Sequence, residues 1–329
     1  MPSQSPGPTA LTQTFTYPPS SPLPFRIRYT RLGPSDGIPV IFIHGTPWSS
    51  RLWAPFALAL SHTGHSVYLF DNPGYGESPA PEASAEYDIT KDGGLWMQTE
   101  VFAALFAEWG FPIAGGGKQE QGSGGTRGKK PHVIAHDNAG LCALRANIEH
   151  GCEYASLLLV DVVAVGPWGL DFFKLVNTNQ GVLEALPGNM FEGIVRGYIK
   201  PGAFKPLKEE VEDDLVGWWV TKEGQKAKGP GQAGFVKVFA QASGRVTEDV
   251  EERYKEVVQK GVKVKVVWGK EDRWVPVERG EKLREKLGGE TKLVVVEEAG
   301  HLIQLDQPER LMVEILTFIQ EAGSPNTSQ

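Results

Sequence analysis

Six short apolar runs, each the length of a strand and set apart by helical patterns, restrict what this 329-residue chain can become. They are residues 38–44 (IPVIFIH), 65–71 (HSVYLFD), 131–137 (PHVIAHD), 156–162 (SLLLVDV), 262–268 (VKVKVVW) and 292–297 (KLVVVE). Most are apolar on both faces, as the central strands of a parallel sheet are. Between them the period changes. Leu95, Gln98, Phe102, Leu105, Phe106 and Trp109 share one stripe of a helix beginning near Asp92, and Leu141, Leu144, Arg145 and Ile148 share another. Strand and helix in alternation predict an α/β fold, a mostly parallel central sheet covered by helices on both sides.

Two regions break the rhythm. Residues 114–130 (AGGGKQEQGSGGTRGKK) are Gly-rich and polar, and read as a flexible surface insertion between a helix and a strand. From 166 to 244 no strand pattern occurs. Short amphipathic pieces there carry Trp168, Phe172, Phe173, Phe191, Tyr198, Trp218, Trp219, Phe235 and Phe239, which predicts a helical cap inserted in the core with its aromatics facing a cavity. The core then spans 23–165 and 245–322, with a disordered Pro/Ser/Thr-rich arm over 1–22 and a tail over 323–329. Inside the cap, Gly229, Gly231 and Gly234 match G-x-G-x-x-G, but no strand precedes them and Pro230 occupies the turn. A dinucleotide is not expected there.

A formal charge of −7 with both signs interspersed offers no basic face to nucleic acid or an anionic membrane, so a small neutral molecule is the expected partner. No apolar run reaches 18 residues, and the opening MPSQSPGPTALTQ has neither a basic n-region nor an apolar h-region, so a cytoplasmic location without membrane insertion is expected. Cys142 and Cys152 fit neither a zinc site nor a redox pair at their spacing of ten residues, and read as packing residues in a reducing compartment. No metal cluster, phosphate cradle or flavin motif is visible, and no cofactor is expected. Nothing in the residues speaks to oligomeric state.

Ligands of open α/β sheets meet the protein at the carboxyl ends of the strands. Four ionisable residues fall there: Asp137, Asp161, Asp272 and His301. Asp137 stands in VIAHDNAG, where a strand turns into a helix. A sharp elbow of that kind crowds the residues two before and two after its apex, and Ala135 and Ala139 are small enough for it. The alternative is that Asp137 only caps the following helix. An acid and a histidine downstream, in the order nucleophile, acid, histidine, favour a catalytic seat.

At this point the chain resembles the α/β-hydrolases, and among them the epoxide hydrolases and haloalkane dehalogenases that use aspartate as nucleophile. The matching pieces are HGTP (44–47), DNPGYGES (71–78), AHDNAG (135–140), WGKEDRWVP (268–276) and AGHLIQLDQPE (299–309). The resemblance spans the core from about residue 25 to 320 and implies an α/β-hydrolase fold. It makes Asp137 the nucleophile, His301 the base that activates water, and Asp272 the acid behind it, with Asp161 as the alternative acid. It places the oxyanion hole at the backbone amides of Thr46 and Asn138. Trp48, Trp168, Tyr198, Trp218 and Trp219 are the expected substrate-binding residues of pocket and cap. His44 and His136 are expected to orient loops, and Asp71 and Ser78 to belong to a structural turn. Arg145 is expected as a buried or paired helix residue, with a substrate carboxylate as its other use.

Aspartate in that seat changes the chemistry. A carboxylate needs no base to become nucleophilic, so it can attack an sp³ carbon and form an alkyl-enzyme ester, which water then hydrolyses. Haloalkane dehalogenases typically carry a Trp right after the nucleophile, and fluoroacetate dehalogenases arginines there and three residues later; here these positions are Asn138 and Leu141. Epoxide hydrolases usually use two cap tyrosines as acid donors, of which Tyr198 is the available one. Epoxide hydrolysis ranks first on this basis and haloalkane dehalogenation second. A lyase or C–C/C–O bond hydrolase with Asp137 as general base, and a non-catalytic ligand binder, stay open.

Overall fold

The computed structural model describes residues 8–18, 24–79, 94–115, 125–167, 171–220, 227–241 and 245–323. Its strands are β1 (Gln13–Tyr17), β2 (Phe25–Leu32), β3 (Ile38–Ile43), β4 (His65–Phe70), β5 (His132–His136), β6 (Ser156–Val160), β7 (Lys263–Gly269) and β8 (Lys292–Val296). They form one sheet in the order β1-β2-β4-β3-β5-β6-β7-β8. β2 pairs antiparallel with both β1 and β4, and every pairing from β4 to β8 is parallel.

The helices are α1 (Ala54–Ser61), α2 (Gly94–Glu108), α3 (Ala139–Glu149), α4 (Asp171–Thr178), α5 (Gln180–Glu184), α6 (Gly188–Ile199), α7 (Glu209–Val216), α8 (Gly231–Ala240), α9 (Arg245–Glu248), α10 (Lys255–Gln259), α11 (Val277–Leu287), α12 (Ile303–Asp306) and α13 (Pro308–Gly323). Period-two alternation along the strands sorts the core into two layers. Ile41, Ile43, Val133, Ala135, Leu157, Leu159 and Val266 pack with side chains of α2, α3 and α11, while Val40, Phe42, Ile134, Leu158, Val160 and Val267 pack with α1 and α13. An α/β-hydrolase fold results, with the strand ends of β3, β5, β6, β7 and β8 opening on one edge.

The six apolar runs are β3 to β8. The reading of 1–22 as a disordered arm is corrected, because Gln13–Tyr17 is an edge strand in register with β2 from Gln13↔Tyr29 to Tyr17↔Phe25. Its polar composition is that of an edge strand, with one side in solvent, and Phe15 and Tyr17 still pack on the core. In the Gly-rich segment, 116–124 lie outside the described residues, whereas the end of it is tied to the core. Thr126 Oγ1 lies 2.6 Å from Tyr68 Oη, and the Gly128 amide donates to Gly110 O at 2.9 Å.

Helices α4 to α10 lie in the connection between β6 and β7, and no strand interrupts them among the described residues; α4 to α8 form a layer over the strand ends. Their buried side chains, Phe191, Val195, Ile199, Val216, Trp219, Phe235 and Phe239 among them, cluster with Trp48, Tyr75 and Leu302 from the loops at the strand ends. At about 1.5–3 kcal/mol for each large apolar side chain removed from water, this cluster fixes the helical layer over that edge of the sheet. Among the described residues no helix is long and apolar enough to cross a membrane.

Candidate active site

β5 ends at His136, and Asp137 takes a left-handed conformation with φ +57° before α3 begins at Ala139. That backbone is unusual for a residue with a side chain and turns the carboxyl group out of the sheet edge. Tight packing holds it. A Cβ on Gly45 would lie 2.3 Å from Asp137 Oδ1, and one on Gly140 would lie 2.4 Å from Val162 Cγ1. Ala135 and Ala139 are fully buried on either side. The Asp137 carbonyl accepts from the amides of Gly140 at 3.1 Å and Val163 at 3.0 Å, so the turn is hydrogen-bonded to the loop after β6 as well as to its own helix.

The carboxylate meets two partners. The Thr46 amide donates to Oδ1 at 2.7 Å, and His301 Nε2 lies 3.3 Å from Oδ2, close enough for ion pairing but without the alignment of a hydrogen bond. On its other side His301 Nδ1 is 2.8 Å from Asp272 Oδ2. Asp272 Oδ1 in turn accepts from the amides of Trp274 at 2.8 Å and Val275 at 2.9 Å, which fixes the loop after β7. Burial disfavours the His301 imidazolium, but the carboxylates of Asp272 and Asp137 outweigh it and raise the pKa well above the ordinary value.

Asp161 is not brought to His301. Its Oδ1 accepts from the Gly269 amide at 2.6 Å, and burial together with the charge of Asp272 pushes its pKa well above the usual carboxylate range. The expected oxyanion donors are close together: Thr46 already bonds Asp137, Asn138 is the next residue, and Asn138 Nδ2 donates to Thr46 Oγ1 at 3.0 Å. Thr46 Oγ1 also lies 2.6 Å from Tyr75 Oη.

His136 and His44 hold loops. His136 Nε2–H donates to the His301 carbonyl at 2.9 Å, which leaves its Nδ1 as the unprotonated nitrogen, and burial and the neighbouring His301 lower its pKa to about 3. His44 accepts the Asn72 amide on Nε2 at 2.9 Å, and burial lowers its pKa too. Asp71 accepts from the amides of Ser50 and Glu77, and Ser78 Oγ from that of Arg28, within the turn. Arg145 pairs with Asp249 at 2.6 Å and Glu149 at 3.1 Å. Burial pushes the thiols of Cys142 and Cys152 up to about 12.

Asp137 opens on a cavity of about 290 Å³. Its walls come from both layers: Thr46, Asn138, Val163 and Val165 below, Phe173, Tyr198 and Val238 above, and Arg273, Trp274 and Arg279 to one side. Of the expected pocket residues that are described, Tyr198 alone lines it. Trp48 is instead buried against Trp274, ring centroids 5.7 Å apart and nearly parallel. Trp219 is fully buried with its Nε1 donating to Pro47 O at 3.0 Å, and Trp218 lines a separate groove beside Arg51. These three are corrected to packing residues, since a helical stripe of aromatics also serves to bury a cap on its core. Trp168 lies outside the described residues. Trp274, two residues after Asp272, is a cavity residue that the sequence motifs do not single out; its ring centroid is 4.4 Å from that of Tyr198 and 4.9 Å from that of His301. Among the described residues no group of three or more His, Cys, Asp or Glu is placed to hold a metal ion.

A family model described as "Alpha/beta hydrolase family" matches residues 40–314. A crystal structure of an alpha/beta hydrolase fold protein from Burkholderia ambifaria is 32% identical, with a TM-score of 0.75 over 93% of this chain and 97% of that one. An epoxide hydrolase structure has a TM-score of 0.66 at 16% identity, covering 94% of this chain and 99% of the other, a likeness of fold. A haloalkane dehalogenase of Psychrobacter cryohalolentis is 34% identical over 74 residues, 22% of this chain and 24% of that protein, so the match spans about a quarter of the relative's length.

Proposed function

The chain belongs to the alpha/beta hydrolase family, and we propose that within it this protein hydrolyses an epoxide through an ester on Asp137. The observation that carries this reading is the double engagement of one carboxylate, with Oδ1 on the Thr46 amide and Oδ2 beside His301. Oδ2 attacks a ring carbon, the C–O bond breaks, and the ring oxygen takes the phenolic proton of Tyr198. Tyr198 lines the cavity, has no hydrogen-bond partner among the described residues, and is kept protonated by burial and by the charges of Asp137 and Asp272.

Ester formation removes the negative charge beside His301, which lowers its hold on a proton. That proton restores the Tyr198 phenol and leaves a neutral imidazole, oriented by Asp272. His301 Nε2 then takes a proton from water, hydroxide adds to the ester carbonyl, and the oxyanion forms where Oδ1 already meets the Thr46 amide, with the Asn138 amide as second donor. Collapse expels the alkoxide, which takes the proton of the newly formed Asp137 carboxyl group, so the diol leaves with Asp137 as carboxylate and His301 as imidazolium, ready for another turnover. The helices between β6 and β7 serve as the cap that excludes bulk water.

The test is the intact mass of His301→Gln after exposure to epoxides and alkyl halides, beside wild type and Asp137→Ala. An adduct that accumulates on His301→Gln, maps to Asp137 and carries the whole mass of an epoxide is the expected result. An adduct lacking the halogen would move the substrate class to haloalkanes. Turnover by wild type with no adduct would return Asp137 to a general-base role.

A further inference from the structure

Two guanidinium groups line the cavity, those of Arg273 and Arg279, and among the described residues neither has a carboxylate partner. Arg145, Arg196, Arg253 and Arg310, by contrast, each grip one or more carboxylates. Arg279 stands in the first turn of α11 between Glu278 and Glu281 and donates to the Gly166 carbonyl instead. Arg273 is exposed and Arg279 half-buried while Asp137 is buried, so Arg273 marks the solvent end of the cavity and the nucleophile its floor. The walls also include the apolar side chains of Leu95, Val163, Val165, Phe173 and Val238.

The loop that carries Arg273 is rigid for a reason already given: Asp272 accepts the amides of Trp274 and Val275, so the residue between them is held at a set distance from His301. Arg279 is held by Gly166, at the start of the helical insertion. On a chain of net charge −7, unpaired positive charge at a cavity mouth concentrates anions locally where the rest of the surface repels them.

We propose that the cavity takes an anionic amphiphile, a molecule with an apolar body and a carboxylate head, whose head is held by Arg273 and Arg279 while its body reaches toward Asp137. The proposal rests on the reading of this cavity as the substrate site. It narrows the substrate from an apolar epoxide to one bearing a carboxylate at the far end from the reacting carbon. Arg145, eight residues from the nucleophile, does not take that role, because Asp249 and Glu149 occupy it.

Hexanoate and its neutral isostere hexanamide are the probes, titrated into the full chain and followed by tryptophan fluorescence, which Trp274 in the cavity wall reports. At low ionic strength hexanoate should bind roughly five- to tenfold more tightly than hexanamide, the size expected of exposed ion pairs. The preference should shrink toward one in 1 M NaCl, where charges are screened over about 3 Å. Arg273→Glu should abolish the preference, and Arg273→Lys, which keeps the charge, should retain part of it. Equal affinity for the two probes, absence of binding included, or a preference that survives Arg273→Glu would overturn the proposal. The Asp137 adduct is read independently by mass, so a carboxylate preference without an adduct would spare this inference and sink the ester reading, and the reverse pattern would do the opposite.

Discussion

The loops at the strand ends and the helical layer above them enclose the same cavity but are held in place by different forces. Below, polar contacts of fixed direction set single atoms: Thr46 on Asp137 Oδ1, Asp272 on His301, two backbone amides on Asp272. Above, Phe191, Phe235, Phe239 and Trp219 pack ring against ring, and the cavity wall is whatever face that packing leaves over. Directional bonds tolerate little change, whereas apolar packing tolerates substitution of similar volume. Chemistry should therefore be sensitive to conservative changes below, and substrate choice to changes above.

The sharpest test of the lower region is a pair of isosteric substitutions. Asp272→Asn should lower turnover by about 10²–10⁴-fold, because an amide cannot stabilise the imidazolium that forms during ester hydrolysis. Asp161→Asn, just after the neighbouring strand β6, keeps an oxygen to accept from the Gly269 amide at a site with no hydrogen bond to His301, and should leave turnover within about threefold. Steady-state kinetics on the two variants decides; comparable losses would mean that Asp161 serves as acid too. Above, Tyr198→Phe keeps the stack on Phe172 and Trp274 and removes only the phenol. Epoxide opening should slow by about 10²-fold while the preformed ester is hydrolysed at its usual rate, which rapid-quench measurement of the two steps resolves.

The smallest effect is on stability. His136 and His301 have ring centroids 4.7 Å apart, yet burial drives the first to about pKa 3 while two carboxylates raise the second. The contribution of His301 is full below about pH 6.5 and is lost as pH rises through its raised value. His136 and His132, the latter lowered by burial to about 4, act in the opposite sense: the unfolded chain binds their protons first, so stability falls as pH drops below about 6.5. Urea midpoints should show His301→Gln most destabilised relative to wild type below that pH, with the gap closing at alkaline pH. A gap independent of pH would count against the ion-pair account of His301.

The same division governs what could be read from the residues alone. The parallel strands were legible because burial on both faces demands continuous apolar runs, and the elbow because steric crowding demands small residues beside Asp137. β1 was missed since an edge strand needs no such run. The choice between Asp161 and Asp272 was open because both follow adjacent strands, and only the side-chain directions separate them. Aromatic residues announce burial but not which neighbour buries them, so the sequence does not tell Trp48, Trp218 and Trp219, which pack, from Trp274, which lines the cavity. Arg273 lay hidden in a charged run that looks like any solvated loop.

The left-handed backbone at Asp137 implies that the molecule is not at its most durable. A residue with a side chain held at φ +57° costs of order 1 kcal/mol, and glycine adopts that conformation freely. Asp137→Gly should therefore unfold at a higher urea concentration than Asp137→Ala, although neither can react.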